Sequence, residues 1–125
     1  PGLLEGAEVQ AAFQDADLFV LPCRTDTFPT TIMEACQANT PMVITEGCEI
    51  AHLVRDRVAE VTPFDPQAFA NAMRSLLTDG ACYARLQAEC PRVMADTFSL
   101  QASVDRLEAL YTQLSAVRHN AIGAA

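Results

Sequence analysis

Two short apolar runs constrain the fold of this chain more than any other feature of its sequence. The first, Leu18–Leu21, ends at Pro22, and the second, Met42–Thr45, ends at the turn Glu46-Gly47. A continuous apolar run of this length is typical of a strand buried on both faces, as in a parallel sheet. A helix-like stretch follows each run, and this alternation predicts an α/β fold with a small parallel sheet.

Most of the remaining chain carries helical patterns. Asp65 followed by Pro66 predicts a helix start, since Asp caps a helix and Pro fits its first position. The final helix, residues 100–117, has an apolar stripe that we expect to pack on the core. Its members are Val104, Leu107, Leu110, Tyr111 and Leu114. The full set of expected elements is helices at 5–15, 30–38, 66–78, 82–96 and 100–117, a helical turn at 48–54 and a brief strand at 58–61.

These patterns predict a single domain with a helical C-terminal third. No internal repeat and no linker divides the chain. We expect residues 1–119 to form the domain, with helices packed around the sheet, and residues 120–125 to form a flexible tail.

Composition and charge exclude several classes of function. Half of the residues are apolar and 19% are charged, which is typical of a packed globule rather than a disordered chain. The net charge of -8 leaves no basic patch for nucleic acid or for an anionic membrane surface. No run approaches the roughly 20 apolar residues of a membrane span. We expect no nucleic-acid partner and no membrane span.

The five cysteines indicate a reducing compartment. Their number is odd, no two form a CxxC pair, and none has metal-ligand spacing. They lie inside predicted helices and at strand edges, so we expect no disulfide framework. The N-terminus has neither the basic nor the apolar region of a signal peptide. We therefore predict a cytoplasmic protein with reduced, buried thiols and no bound metal.

The segment that follows the first strand carries the candidate site. Asp26 and Glu34 lie eight positions apart across a turn that contains Pro29. Asp26 thus lies at the mouth of a strand, and Glu34 lies one turn into the helix that follows. Open α/β sheets bind ligands at this edge. The pair is either a clamp for a polyol or a pair of local caps. In the second case Glu34 closes a capping box on the amide of Thr31.

Five stretches of the chain carry motifs of one known family. Residues 16–28 (ADLFVLPCRTDTF) lead into the first acid, and Glu34-Ala35 matches the second acid of a paired-acid motif. Residues 39–43 (NTPMV), 64–66 (FDP) and 98–111 (FSL, then LEALY) follow in matching order and spacing. The chain resembles the retaining, family-4-like glycosyltransferases of the GT-B fold (glycosyl transferases group 1). The resemblance implies the latter part of their C-terminal, Rossmann-like donor-binding domain.

The resemblance also implies a ligand and the residues that hold it. The ligand is a nucleotide-diphospho-sugar, whose glycosyl group is transferred to an acceptor. Asp26 is the implied catalytic residue, in contact with the donor sugar, and Glu34 holds the ribose hydroxyls. The amides of Thr30 and Thr31, at the helix N-terminus, face the diphosphate. The resemblance further implies that neither a metal nor another cofactor is required.

Three further residues are candidates for substrate binding. Phe28 belongs to the motif itself. Arg24 suits a phosphate as a bidentate partner, with a salt bridge to Asp26 as the alternative. His52 stands where the family commonly has Glu, and it either orients a sugar or phosphate or is structural.

The chain also departs from the family pattern. Asp26 replaces Glu, Pro29 replaces Gly, and Cys48-Glu49 stand in place of a glycine pair before His52. The family's diphosphate-binding Arg and Lys and its acceptor domain are missing, so we expect little or no activity from the isolated chain. The alternative is a non-catalytic, degenerate donor domain that acts as a binding or dimerisation module, with a homodimer formed through the surface that the missing part exposes. An unrelated nucleotide-binding protein would need a Gly-rich loop, which the scattered glycines do not form.

Overall fold

The computed structural model describes the backbone of residues 2–123 and the side chains of residues 2–115. Strands and helices alternate in its first half, and helices alone follow, so the predicted α/β class is confirmed. The elements are α1 (Ala7–Asp15), β1 (Phe19–Leu21), α2 (Thr30–Gln37), β2 (Met42–Thr45), α3 (Ala51–Val54), β3 (Ala59–Thr62), α4 (Pro66–Thr78), α5 (Gly80–Val93), a π-helical segment (Met94–Phe98) and α6 (Leu100–Gly123).

The three strands form one parallel sheet in the order β1-β2-β3. β2 is central, and all four of its residues are buried. β1 lies at an edge, where the side chain of Val20 is 38% exposed. The prediction that the first apolar run is buried on both faces is therefore wrong, because β2 alone pairs with β1 among the described strands.

Helices cover both faces of the sheet. Met42 and Ile44 of β2 point into the larger apolar cluster together with Ile32 of α2. Val43 points to the opposite face, where it packs with Leu76 of α4. This alternation follows the two-residue period of a strand. The buried contact of Ile32 holds α2 against the sheet and so fixes the position of its N-terminus.

Two aspartates set the starts of the helices that follow the sheet. The Oδ1 atom of Asp65 accepts a hydrogen bond of 2.7 Å from the amide of Ala68, and Pro66 takes the first helical position, as predicted. Asp79 caps the next helix through two amides of its first turn. α5 therefore begins at Gly80, earlier than predicted, because Asp79 serves as its N-cap rather than only as the end of α4.

The last helix, α6, packs against the π-helical segment rather than against the sheet. Arg106 anchors its first half by donating to the carbonyl oxygens of Asp96 and Thr97 at 2.9 and 3.1 Å. The apolar stripe predicted to pack on the core is exposed instead, from 37% at Val104 to 63% at Tyr111. That prediction is wrong because, in the described part of the chain, most of α6 has no neighbouring element to cover it.

α6 is 24 residues long and ends at Gly123. The predicted tail, residues 120–125, thus overlaps the end of α6, and its last two residues lie outside the described part of the chain. Neither α6 nor any other described helix combines the length and the apolar character needed to cross a bilayer.

Candidate functional site

The candidate site lies along the carboxyl edge of the sheet. Three loops share this edge: residues 22–29 after β1, residues 46–50 after β2 and residues 63–65 after β3. The carboxyl ends of parallel strands lie side by side, and ligands of open α/β folds bind beside them. The predicted site residues belong to the first loop, to α2 and to α3.

A single parallel bridge joins the first two loops. The amide of Asp26 donates to the carbonyl of Gly47 at 3.0 Å, and the amide of Glu49 donates to the carbonyl of Asp26 at 2.9 Å. Only glycine fits at position 47, because a Cβ atom there would lie 2.4 Å from the carbonyl oxygen of Arg24 and 2.7 Å from that of Cys23. The backbone of Asp26 is therefore fixed as an extension of the sheet.

The carboxylate of Asp26 is half-buried and orders its own loop. Its Oδ1 atom accepts a hydrogen bond of 3.2 Å from the amide of Phe28, which forms an Asx turn. Its Oδ2 atom has no protein hydrogen-bond partner among the described residues. The side chain thus stabilises the turn and still offers one acceptor oxygen to a ligand hydroxyl.

α2 begins at Thr30 without a side-chain cap. The residue in the N-cap position is Pro29, whose backbone is extended (φ -68°, ψ 106°) and whose side chain has no acceptor atom. The alternative in which Glu34 closes a capping box on Thr31 is wrong, because the helix starts one residue earlier and no side chain caps it. Thr30 and Thr31 therefore present first-turn amides without a side-chain acceptor, an arrangement that favours an anion.

Glu34 is exposed and borders a groove between α1 and α2. The groove has a volume of about 590 Å³, and Phe13, Gln14 and Gln37 also line it. No side-chain hydrogen bond or ion pair holds the Glu34 carboxylate in the described part of the chain, and nothing there links it to Asp26. Across the same residues, no three His, Cys, Asp or Glu side chains converge to form a metal-binding group.

Arg24 connects the first loop to the third. Its guanidinium carbon lies 5.0 Å from the centroid of the Phe64 ring, which is a cation–π arrangement. The alternative salt bridge to Asp26 is not among the ion pairs of the described residues. The loop of β1 is therefore tied to both of its neighbours, by the Asp26 bridge on one side and by Arg24 on the other.

Two exposed rings border these loops. Phe28 is 52% exposed and meets Phe98 of the π-helical segment edge-on, with the ring centroids 6.5 Å apart. The Nδ1 atom of His52 lies 2.9 Å from the carbonyl oxygen of Glu49, which makes Nδ1 the donor; in the neutral ring Nε2 is then an acceptor. Because the amide of Glu49 bonds to Asp26, His52 is linked to the Asp26 bridge through a single residue.

Cys23 and Cys48 also meet at this edge, although no sequence motif pairs them. Their Sγ atoms are 3.0 Å apart. Burial, the hydrogen bond with Cys23 and the nearby carboxylate of Asp26 raise the pKa of Cys48 from 9.0 to about 12. Phe64 belongs to a sequence motif and Gly47 to a predicted turn, but the contacts of both residues with Arg24 depend on the order of the strands and were not predicted. For Gly47, the one available signal in the sequence is that a turn glycine directly follows a buried strand.

The chain is an α/β domain whose sheet carries an acid-bearing loop and an uncapped helix at its carboxyl edge, the edge beside which open α/β folds bind ligands. The family model of the glycosyl transferases group 1 matches residues 2–79, which contain all three strands, their loops and α2. The chain belongs to this family, as the sequence motifs predicted.

Two similar curated proteins are D-inositol 3-phosphate glycosyltransferases. The one from Corynebacterium glutamicum (strain R) is 29% identical over 107 residues, which cover 84% of this chain and 25% of that protein. D-inositol 3-phosphate glycosyltransferase 1 from Catenulispora acidiphila is 33% identical over 101 residues, which cover 79% of this chain and 24% of that protein. The chain therefore spans about a quarter of the length of the curated relatives it matches.

A solved structure shares the fold. Sucrose-phosphate synthase from Thermosynechococcus elongatus matches 94% of this chain, and 30% of its own chain, with a TM-score of 0.75 and 23% sequence identity. This likeness confirms the predicted fold, a small parallel sheet with helical cover that corresponds to part of a GT-B domain.

Proposed function

We propose that the carboxyl edge of the sheet binds the nucleotide-diphospho-sugar donor of a retaining glycosyltransferase, for transfer of the glycosyl group to an acceptor. The observation that carries the proposal is the run from Asp26 to Glu34, which lies inside the family match and joins an acid-bearing loop to an uncapped helix. Unpaired amides and partial positive charge at a helix N-terminus suit a diphosphate. In this role the chain is the donor-holding portion of a larger enzyme.

Glu34 is proposed to hold the ribose of the donor. A carboxylate accepts two hydrogen bonds at once, and the vicinal hydroxyls of ribose are a matched pair of donors. Glu34 is exposed beside a groove of about 590 Å³ and has no competing side-chain contact among the described residues. That volume falls within the range of small-molecule sites, roughly 300–1,000 Å³.

Asp26 is proposed as the catalytic residue that contacts the donor sugar. Positive charge develops at the anomeric carbon as the diphosphate leaves, and a fixed carboxylate stabilises that charge. The Asp26 backbone is held by two hydrogen bonds to the second loop, so its carboxylate is positioned before the ligand arrives. In the same site, the amides of Thr30 and Thr31 would stabilise the negative charge of the leaving diphosphate.

Arg24, Phe28 and His52 are proposed to complete the donor site. Arg24 keeps its charge while it stacks on Phe64, and guanidinium N–H groups pair well with phosphate. The half-exposed ring of Phe28 offers an apolar surface, and the Nε2 atom of His52 offers an acceptor to a sugar hydroxyl.

The donor is proposed to bind without a metal ion, and the isolated chain to have little or no transferase activity. Because the chain spans 25% and 24% of its curated relatives, residues outside this stretch would have to hold the acceptor. The five free cysteines support a reducing, cytoplasmic location.

Titration of the chain with UDP, GDP and ADP, followed by amide NMR, tests donor binding. We expect changes in amide chemical shift centred on residues 30–35, and the Kd values for the three nucleotides should show which base the site prefers. Glu34→Gln keeps the side-chain length and removes the charge, and should weaken binding about tenfold or more. Glu108→Gln makes the same change on the exposed face of α6 and should leave binding unchanged. If millimolar nucleotide shifts no amide in this segment, the donor proposal is wrong.

A second candidate function is a non-catalytic binding or dimerisation module, and the exposed stripe on α6 favours it. Five apolar side chains recur at intervals of four and three residues, which is the spacing of a coiled-coil seam. Each of them is at least 37% exposed. They are Leu100 and four members of the stripe, Val104, Leu107, Tyr111 and Leu114; Leu110, the remaining member, does not fit this spacing.

Sedimentation equilibrium tests this second candidate. A dimer that dissociates on Leu107→Glu, but not on Glu108→Gln beside it, would support association through α6. A chain that stays monomeric up to NMR concentrations would rule out dimerisation through α6.

A further inference from the structure

Two thiols lie side by side at the candidate site. The Sγ atoms of Cys23 and Cys48 are 3.0 Å apart, and the Oγ1 atom of Thr45 lies 3.6 Å from the Cys23 sulfur. Cys48 is only 1% exposed, whereas Cys23 is half-buried and can be reached from solvent. Both are free thiols in the structure.

The backbone already holds these two residues where a covalent bond can form. Cys23 follows β1 and Cys48 follows β2, and these neighbouring strands run parallel. The bridge between Asp26 and Cys48, together with the close approach of Gly47 to the Cys23 carbonyl, fixes the two loops against each other. A disulfide brings its sulfurs to about 2.05 Å, so rotation of the side chains can close the remaining gap without moving the strands.

We propose that Cys23 and Cys48 form a reversible disulfide when the protein meets a hydroperoxide, which makes this edge of the sheet a redox modification site. The Cys23 thiolate attacks one oxygen of hydrogen peroxide, the O–O bond breaks, and the departing hydroxide takes up the thiol proton as water. Cys23 is then a sulfenic acid. The Cys48 sulfur attacks the Cys23 sulfur and loses its proton, and the sulfenic oxygen leaves as a second water. The two sulfurs are oxidised and the peroxide is reduced.

The surroundings of the two sulfurs decide which reacts first. Burial, followed by the hydrogen bond with Cys23, raises the pKa of Cys48 to about 12 and keeps it protonated. Cys23 is the more exposed of the pair and is therefore the thiol that the peroxide reaches. Cys48 is the resolving thiol, already in contact with the sulfur that it attacks.

The other three cysteines lack this combination of contact and access. Cys36 donates to the carbonyl of Cys90 at 3.3 Å, but each of them is at most 1% exposed, between α2 and α5. Because both residues of this pair are buried, neither can meet the peroxide that has to react first. Cys82 is half-buried, and its sulfur contacts Glu60 and Arg85 rather than another thiol.

The bond would cross-link the β1–α2 loop to the β2–α3 loop next to Arg24 and Gly47. A cross-link between positions 23 and 48 restricts the unfolded chain, so the oxidised protein should melt at a higher temperature than the reduced one. The modification requires no nucleotide, and its test is independent of the proposed donor binding.

Tryptic mapping tests the proposal directly, because the chain contains no lysine and cleavage after Arg24 and Arg55 separates the two cysteines. Treatment with a small excess of hydrogen peroxide, alkylation and non-reducing digestion should yield residues 1–24 linked to residues 25–55. The linked mass should be two hydrogens below the sum of the peptides, and dithiothreitol should separate them. Fragmentation should place the bond on Cys48.

Variants supply the controls. Cys48→Ser should abolish the linked peptide, and Cys82→Ser should retain it. Oxidation should raise the Tm by about 5 °C in the wild type and in Cys82→Ser, and not in Cys48→Ser. Sulfinic acid on Cys23 without a linked peptide, or a bond to Cys36 instead, would overturn the proposal. If Cys48→Ser does not fold, the wild-type peptide map alone decides the question.

Discussion

Gly47 is the residue on which the shape of the candidate site most depends. An added Cβ would lie 2.4 Å from a backbone oxygen of Arg24, so the two bridged loops would have to separate. We expect Gly47→Ala to lower the free energy of unfolding by about 1–3 kcal/mol, as overpacked sites do, measured by urea denaturation. Gly80→Ala is the matched control, since nothing lies within 4 Å of its added Cβ. Equal losses in the two variants would contradict the steric explanation.

The buried thiol of Cys48 makes stability depend on pH in the alkaline range. Its pKa in the folded chain is raised from 9.0 to about 12, mainly by burial, so the folded chain keeps a proton that the unfolded chain releases. The stabilising contribution is complete below pH 9.0 and is lost as the pH rises towards about 12. We expect the midpoint of urea unfolding to fall across this window, and to fall less in Cys48→Ser. A fall of equal size in both proteins would assign the pH dependence to other groups.

At the scale of helices and strands, the sequence correctly predicted those features that depend on only a few neighbouring residues. The start of α4 follows from Asp65 and Pro66 alone, because cap and first position are adjacent. The burial of β1 and of the α6 stripe depends on which elements lie beside them, and the sequence does not contain that information locally. The same division applies to the site: the position of Asp26 after a strand was predictable, whereas the contact of Arg24 with Phe64 requires the strand order.

The N-cap of α4 offers a test of how much a local signal contributes. Asp65 accepts the amide of Ala68 at 2.7 Å, and removing this acceptor leaves a first-turn amide without a side-chain partner. We expect Asp65→Ala to lower the free energy of unfolding by about 1 kcal/mol in urea denaturation. Asp17→Ala removes an exposed aspartate outside the helices and should change it by less than about 0.5 kcal/mol. If both variants lose the same amount, charge rather than capping is responsible.

At the scale of the whole molecule, the proposed ligand is an anion, and the net charge of the chain is -8. Long-range electrostatics oppose such binding, so the α2 N-terminus and Arg24 must supply the local attraction for a diphosphate. Pyrophosphate and a nucleoside diphosphate both carry the group that this attraction recognises, but only the nucleoside diphosphate carries a ribose. The two ligands therefore separate the role of α2 from the role of Glu34.

The gain in stability that each ligand produces distinguishes the two roles, since a ligand that binds only the folded chain stabilises it. At a concentration one hundred times its Kd, a nucleoside diphosphate should raise the free energy of unfolding by about 2.7 kcal/mol, seen as an increase in Tm. Glu34→Gln should reduce the increase for the nucleotide and leave that for pyrophosphate unchanged, whereas Glu108→Gln should alter neither. A loss of both increases in Glu34→Gln would show that Glu34 acts on the diphosphate or on the fold of α2, and the ribose assignment would be wrong.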